Sequence, residues 1–228
     1  FYYLKGHLAL LETAVTQFAL NYVIEQGFTF MTVPHMVNLR TAEGAGFTPK
    51  GEGSNEYVVE GEDLTLIGTA EMPLTGYHAD EILNEIDLPL LYAGYSPCYR
   101  KEAGTYGKDM EGIIRMHQFD KLEMESFSTK ETSRKEHELF VLIQRWLIEQ
   151  LNLPYRVIRK CTFDIGKPDA RGIDMEVWMP GQGKYRETHT ADYMTDYQSR
   201  RLNTRVRREN GDIELVHTND ATAFALGR

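Results

Sequence analysis

Tyr99-Arg100-Lys101-Glu102 closes an apolar run, and His117-Gln118-Phe119-Asp120-Lys121-Leu122-Glu123 follows after a loop of mixed charge. Side chains of a strand alternate between faces with period two. Arg100 and Glu102 therefore share one parity, and Phe119 and Glu123 share another. Paired as a hairpin, the two segments place a fixed cation, an aromatic plate and two carboxylates on one sheet face. That set suits a nucleoside triphosphate lying beside an amino group. The guanidinium fork clamps phosphate, and an aromatic ring stacks a base.

Working outward, Tyr92–Glu102 and His117–Phe127 read as the two hairpin strands. Leu8–Gln26 reads as an amphipathic helix, with Leu8, Leu11, Val15, Phe18 and Tyr22 at helical spacing. Gly27 stops it, and Phe28–Val33 reads as a strand closed by Pro34. Thr41–Asn55 reads as a flexible loop. Tyr57–Val59 and Thr65–Ile67 read as a short hairpin, and Thr69 stands at a strand-to-helix junction. A helix is expected over Glu131–Leu151, with Leu139, Leu142, Ile143, Trp146 and Leu147 inward and Ser128 and Glu131 at capping-box spacing. Strands are expected near Tyr155–Thr162, Ile173–Met179, Lys184–Thr190 and Ile213–Thr218. Short turns between successive strands imply antiparallel pairing, with two long helices on one face, an α+β architecture. No tract or linker divides residues 1–228, which read as one domain.

The 228 residues carry a net charge of −9 and are 42% hydrophobic, with a mean hydropathy of −0.43. That composition fits a soluble globular chain without indiscriminate affinity for nucleic acid. No apolar run has the length of a membrane span, and Phe1–Gly6 lacks the features of a signal peptide. Cys98 and Cys161 are far apart, which argues against a disulfide framework or a zinc site. Both sit in strand-like apolar surroundings typical of buried thiols, and a cytoplasmic location fits. Arg200, Arg201, Arg205, Arg207 and Arg208 form the one basic concentration. Arg207 and Arg208 read as a solvated strand edge leading into the turn Glu209-Asn210-Gly211. Neither common Gly-rich phosphate loop is present, so a nucleotide has to be held by side chains and sheet backbone.

Arg-x-Glu, a loop and then Phe resembles motif 2 of the class II aminoacyl-tRNA synthetases. Thr69-Ala70-Glu71-Met72-Pro73-Leu74, Pro97-Cys98-Tyr99-Arg100-Lys101-Glu102-Ala103-Gly104, Met116-His117-Gln118-Phe119-Asp120-Lys121, Glu176-Val177-Trp178-Met179-Pro180-Gly181-Gln182 and Val216-His217-Thr218 are similar to the seryl-tRNA synthetase branch, in family order. The resemblance implies an antiparallel sheet flanked by helices. It also implies activation of serine by ATP to seryl-adenylate and transfer to tRNA(Ser).

By the same resemblance Arg100 and Glu102 are the catalytic pair, with Arg100 on the α-phosphate and the serine carboxylate. Thr69, Ala70, Glu71, Glu123 and Thr222 complete the serine site. Lys101, Phe119, Glu187, Thr188, His189, Thr190 and Arg228 join Arg100 and Glu102 around ATP. Glu187 and Thr190 are the expected magnesium ligands. They are three apart, so a bulge is needed to bring them to one face. His189 departs from the family's usual residue, and so does Asp220, where relatives carry Asn. The Leu8–Gln26 helix and the strand to Pro34 resemble motif 1, which implies a homodimer. Contact with tRNA(Ser) is expected mainly through an N-terminal arm absent from this sequence, which also stops at the start of motif 3. An amino-acid-activating paralogue that loads a carrier protein, and a non-catalytic binding module of the same fold, remain open on the sequence.

Overall fold

A computed structural model describes residues 1–51, 53–102 and 113–227. In chain order these form α1 (His7–Glu25), β1 (Thr29–Thr32), β2 (Met36–Asn38), α2 (Leu39–Ala45), β3 (Leu64–Leu66), α3 (Glu71–Gly76), β4 (Ile82–Asn84), β5 (Leu90–Tyr99) and β6 (Gln118–Ser128). Then come α4 (Ser133–Gln150), β7 (Tyr155–Arg159), β8 (Arg171–Met179), β9 (Lys184–Thr195), α5 (Tyr197–Leu202), β10 (Arg205–Arg207), β11 (Ile213–Leu215) and β12 (His217–Ala225).

The central sheet runs β1-β5-β6-β12-β9-β8-β7. The expected hairpin is its spine: β5 and β6 pair antiparallel, with Cys98 opposite Phe119 and Gly94 opposite Glu123. The pairings from β5 through β7 are antiparallel. Only the edge strand β1 lies parallel to its neighbour, β5. That pair is joined by the long connection through β2–β4, as a parallel pair requires.

One face of the sheet is apolar and covered by α1 and α4. Phe140, Ile143 and Leu147 of α4 and Ala19 and Val23 of α1 pack with Leu122, Met124, Ala221 and Ala223 from the strands. Trp146 of α4 stacks on Tyr22 of α1, with ring centroids 3.6 Å apart. Truncating a buried aromatic such as Phe140 to Ala costs about 3–5 kcal/mol.

Several local expectations change. Leu142 is exposed, and so are Leu8 and Leu11 at the start of α1. The stripe of α1 is therefore covered only from about Val15 onward. The Thr41–Asn55 loop is helical at its start, because the Asn38 side chain accepts the Thr41 amide at 2.7 Å and caps α2. No capping box forms at Ser128 and Glu131: α4 starts at Ser133, and Glu131 instead accepts from Arg208 at 2.9 Å. Arg207 ends strand β10, but Arg208 beyond it is paired to Glu85 and Glu131 instead of solvated, and Arg200 and Arg201 lie on the helix α5. The single strand expected over Ile213–Thr218 is two strands in different sheets, β11 in the small sheet β11-β10-β4 and β12 in the central one. Cys98 is buried as expected, but Cys161 is exposed, and both are free. The Tyr57–Ile67 hairpin forms as read, with Val58 bridged to Thr65.

Candidate active site

The other face of the central sheet is polar. Because β5 and β6 are in register, Phe119, Lys121, Glu123 and Glu125 line up on it beside Cys98, Ser96 and Gly94. β12 adds Thr222 opposite Glu123 and Asp220 opposite Glu125. β9 adds Asp192 opposite Asp220.

Glu123 is the hub. It is fully buried, accepts from Thr69 Oγ1 and Thr222 Oγ1 at 3.0 Å each, and pairs with Lys121 Nζ. Two hydroxyls and an ammonium therefore hold a carboxylate inside the protein, which only such partners make tolerable. Thr69 is presented by the turn before α3, where its Oγ1 also accepts the Glu71 amide at 3.3 Å. That turn lies close to the sheet because β5 has Gly94 beneath it. A Cβ at Gly94 would meet Ala70 Cβ and Leu74 Cδ1 at 3.1 Å. Ala70, expected among the serine-site residues, is fully buried against this strand and sets the depth of α3. Glu71 accepts from Gln198 Nε2 at 2.7 Å. Burial, then Glu123, pushes its pKa up to about 8.

Arg100 leaves the end of β5 with its amide still paired to His117 O at 2.9 Å. Its Nε donates to Gly68 O at 3.1 Å, and its guanidinium lies 5.4 Å from the Phe119 ring centroid. Arg100, Phe119, Lys121, Glu187, Thr188, Thr190, Thr222 and Ala225 line one cavity of about 70 Å³. Glu187 also lines a recess of about 270 Å³ with Arg115, Glu176, Tyr185 and Arg186. Glu102 is buried in a left-handed conformation, φ 52°, and accepts from Arg115 Nη1 at 2.6 Å. Lys101 is exposed, with its Nζ 5.9 Å from the Tyr57 ring. Arg228 lies outside the described residues.

The expected bulge is present. Between β8 and β9 the register shifts so that Met175 faces His189 but Glu176 faces Glu187. Thr188 is the extra residue, and Glu187 and Thr190 therefore come to the same face. His189 goes to the other side: it is buried with its ring edge-on to Phe224 at 5.0 Å, so it is not a nucleotide contact in this arrangement. For a divalent ion the donors fit unevenly. Glu187 offers an exposed carboxylate at the cavity. The Thr190 hydroxyl accepts from Lys160 Nζ at 2.8 Å and donates to Asp192 at 3.0 Å, which sets an ammonium beside the second expected ligand. Among the described residues no group of three or more His, Cys, Asp or Glu could hold a metal. Magnesium on a triphosphate needs only one or two protein carboxylates, since phosphate and water complete its shell.

Lys121, Asp192, Lys160, Gln198 and Arg115 also belong to the site. Period-two counting reaches Lys121, between Phe119 and Glu123, and Asp192, two beyond Thr190. Gln198 stands on α5, which has no signal in the sequence, and its role is set by tertiary packing.

A family profile described as "tRNA synthetase class II core domain (G, H, P, S and T)" matches residues 57–228. The chain belongs to this class II synthetase family. Within it, the chain is 43% identical over its full length to a protein of Dictyoglomus thermophilum and 49% identical to one of Thermococcus gammatolerans, both named serine–tRNA ligase. It covers 54% and 50% of those two proteins, about half their length. The solved seryl-tRNA synthetase of Pyrococcus horikoshii, complexed with ATP, superposes with a TM-score of 0.95 at 48% identity, over 99% of this chain and 50% of that one. The cytoplasmic serine–tRNA ligase of Naegleria fowleri, in complex with AMP, gives 0.92 at 29% identity over 100% of this chain and 54% of its own.

Proposed function

We propose that residues 1–228 are the catalytic domain of a serine–tRNA ligase, which activates serine with ATP and passes the seryl group to tRNA(Ser). The observation that carries this reading is the convergence of Thr69, Thr222 and Lys121 on the buried Glu123, one wall away from Arg100 and Phe119. Glu123 and Thr222 take the serine hydroxyl, while Glu71, Thr69 and Glu123 face its ammonium group. Arg100 draws the serine carboxylate and the α-phosphate together and stabilises the charge that builds during attack, and Phe119 stacks the adenine. Positioning and charge stabilisation are most of what such a step requires. Glu102, locked by Arg115, fixes the backbone that carries Arg100.

Magnesium would supply charge neutralisation on the phosphates; Glu187 would be its principal protein ligand, and the Thr190 hydroxyl would join it only by giving up its bond from Lys160. The long α1 and the edge strand β1, whose Phe30 is exposed, support a homodimer, since an uncovered edge strand is a ready pairing surface. No described helix is long and apolar enough to cross a membrane. The test is exchange of pyrophosphate into ATP. Exchange that depends on serine supports the reading, and exchange driven by another amino acid but not by serine removes the serine assignment.

A further inference from the structure

We propose that Glu71 carries a proton before the amino acid binds and releases it when the substrate's ammonium group enters. The inference rests on the serine reading above and concerns the charge inventory of that pocket.

Four carboxyl groups meet in the layer between α3 and the sheet: Glu71, Glu123, Glu125 and Asp220, with exposures of 7%, 0%, 0% and 4%. The one cation buried among them is Lys121, and it is committed to Glu123. One ammonium balances one carboxylate, and an unpaired buried charge is strongly disfavoured. Glu123, with its ammonium and two hydroxyl donors, is the one member with a full set of partners. Burial pushes Glu125 and Asp220 well above the ordinary carboxyl range, and neither oxygen of Glu125 and not Oδ1 of Asp220 has a hydrogen-bond partner that would favour the carboxylate.

Glu71 differs from them in two ways. It has a fixed donor: Gln198 Nε2 also donates to Ala45 O at 3.0 Å, and Gln198 Oε1 accepts from Thr218 at 2.6 Å, so the amide cannot turn away. Glu71 also lines an open recess of about 340 Å³ with Asp169 and Asp192, which gives its proton a route to solvent. The acids that face it are Glu123 and Glu125 from β6, Asp220 from β12, Asp192 from β9, itself paired to Lys160, and Asp169 from the loop before β8; the facing cations are Lys121 from β6 and, at the mouth of the recess, Lys167. Burial is the largest force against its ionisation and the surrounding carboxylates add to it, while Lys121 opposes them only in part, in keeping with a pKa of about 8.

A substrate ammonium changes that balance. A positive charge within about 4–6 Å lowers a carboxyl pKa by roughly 1–3, and a drop at the upper end of that range takes Glu71 well below neutrality. The O–H bond of Glu71 breaks, the proton goes to water, and the carboxylate faces the ammonium. One positive charge enters and one leaves, so the net charge of the pocket is preserved.

The experiment is titration calorimetry of L-serine into the protein at pH 7, in buffers of low and high ionisation enthalpy. We expect release of about one proton per serine. Serine affinity should rise about tenfold from pH 6 to pH 7 and level off above pH ~8, while serine's own amino group stays protonated. 3-Hydroxypropionate, which lacks the ammonium, should bind without release. Glu71→Gln should remove the release and Asp220→Asn should keep it. Serine binding with no proton released, and affinity flat over this range, overturns the proposal even if Glu71→Gln fails to fold. Failure of serine to bind at all overturns the serine reading beneath it.

Discussion

Thr69 and Thr222 reach the same carboxylate from opposite sides. Thr69 donates to Oε2 of Glu123 from the turn before α3, and Thr222 donates to Oε1 from the neighbouring strand, each at 3.0 Å. The two hydroxyls are 153 positions apart in the chain, from 69 to 222. Together they fix the orientation of the buried Glu123 carboxylate.

Thr222→Val tests that orientation. Removing the hydroxyl leaves Glu123 Oε1 without its donor inside the protein, a loss of roughly 1–3 kcal/mol. The serine/alanine ratio of exchange rates should fall by roughly 10-fold or more, with the thermal midpoint lowered. An unchanged ratio removes Thr222 from the serine site.

Arg100→Ala should abolish exchange, a loss of at least roughly 10²-fold in rate. Arg100→Lys should be nearly as poor, because a point charge cannot reproduce the two-pronged contact. The melting curve of both variants should stay close to that of the parent. Near-normal exchange by the Lys variant would show that the fork is not used.

Lys121→Met leaves the Glu123 charge buried without its ammonium, which should cost about 3–5 kcal/mol of stability. The double variant Lys121→Met/Glu123→Gln removes both charges and should recover most of that loss. Equal destabilisation of single and double variants, read by urea titration, would mean that the pair is not coupled.

The buried acids also set a pH dependence. Burial raises the folded-state pKa of Glu71, Glu125 and Asp220 above their ordinary values. The native state therefore holds more protons than the unfolded chain above pH ~4.5. Stability should fall as pH rises from there through the folded pKa of Glu71, about 8. The slope is at most about 1.4 kcal/mol per pH unit for one such group. Glu71→Gln should flatten part of that fall. A parent whose stability rises between pH 5 and 8 would contradict the assignment.

What the sequence made legible follows from locality. The β5/β6 hairpin and the Glu187/Thr190 bulge were readable because strand parity is a local rule. The same rule reaches Lys121 once Phe119 and Glu123 are placed. His189 was misassigned because the bulge that turns Glu187 and Thr190 to one face turns the residue between them toward Phe224. α5 and the division between β11 and β12 were not readable. Tyr197–Leu202 is too short to show a helical stripe, and the break at Val216 depends on which sheets its neighbours join. Gln198 and Asp169 reach Glu71 through tertiary contacts that no spacing encodes.

The proposed function requires Glu123 and Arg100 to serve one bound intermediate. The most direct measurement is a crystal structure with a non-hydrolysable seryl-adenylate analogue, a sulfamoyl ester for instance. Its hydroxyl should lie within hydrogen-bond reach of Glu123 and Thr222, its ammonium should face Glu71 and Thr69, its sulfamoyl group should sit on Arg100 and its adenine against Phe119. An analogue seated elsewhere, with the Lys121–Glu123 pair unperturbed and Arg100 free of contact, would contradict it.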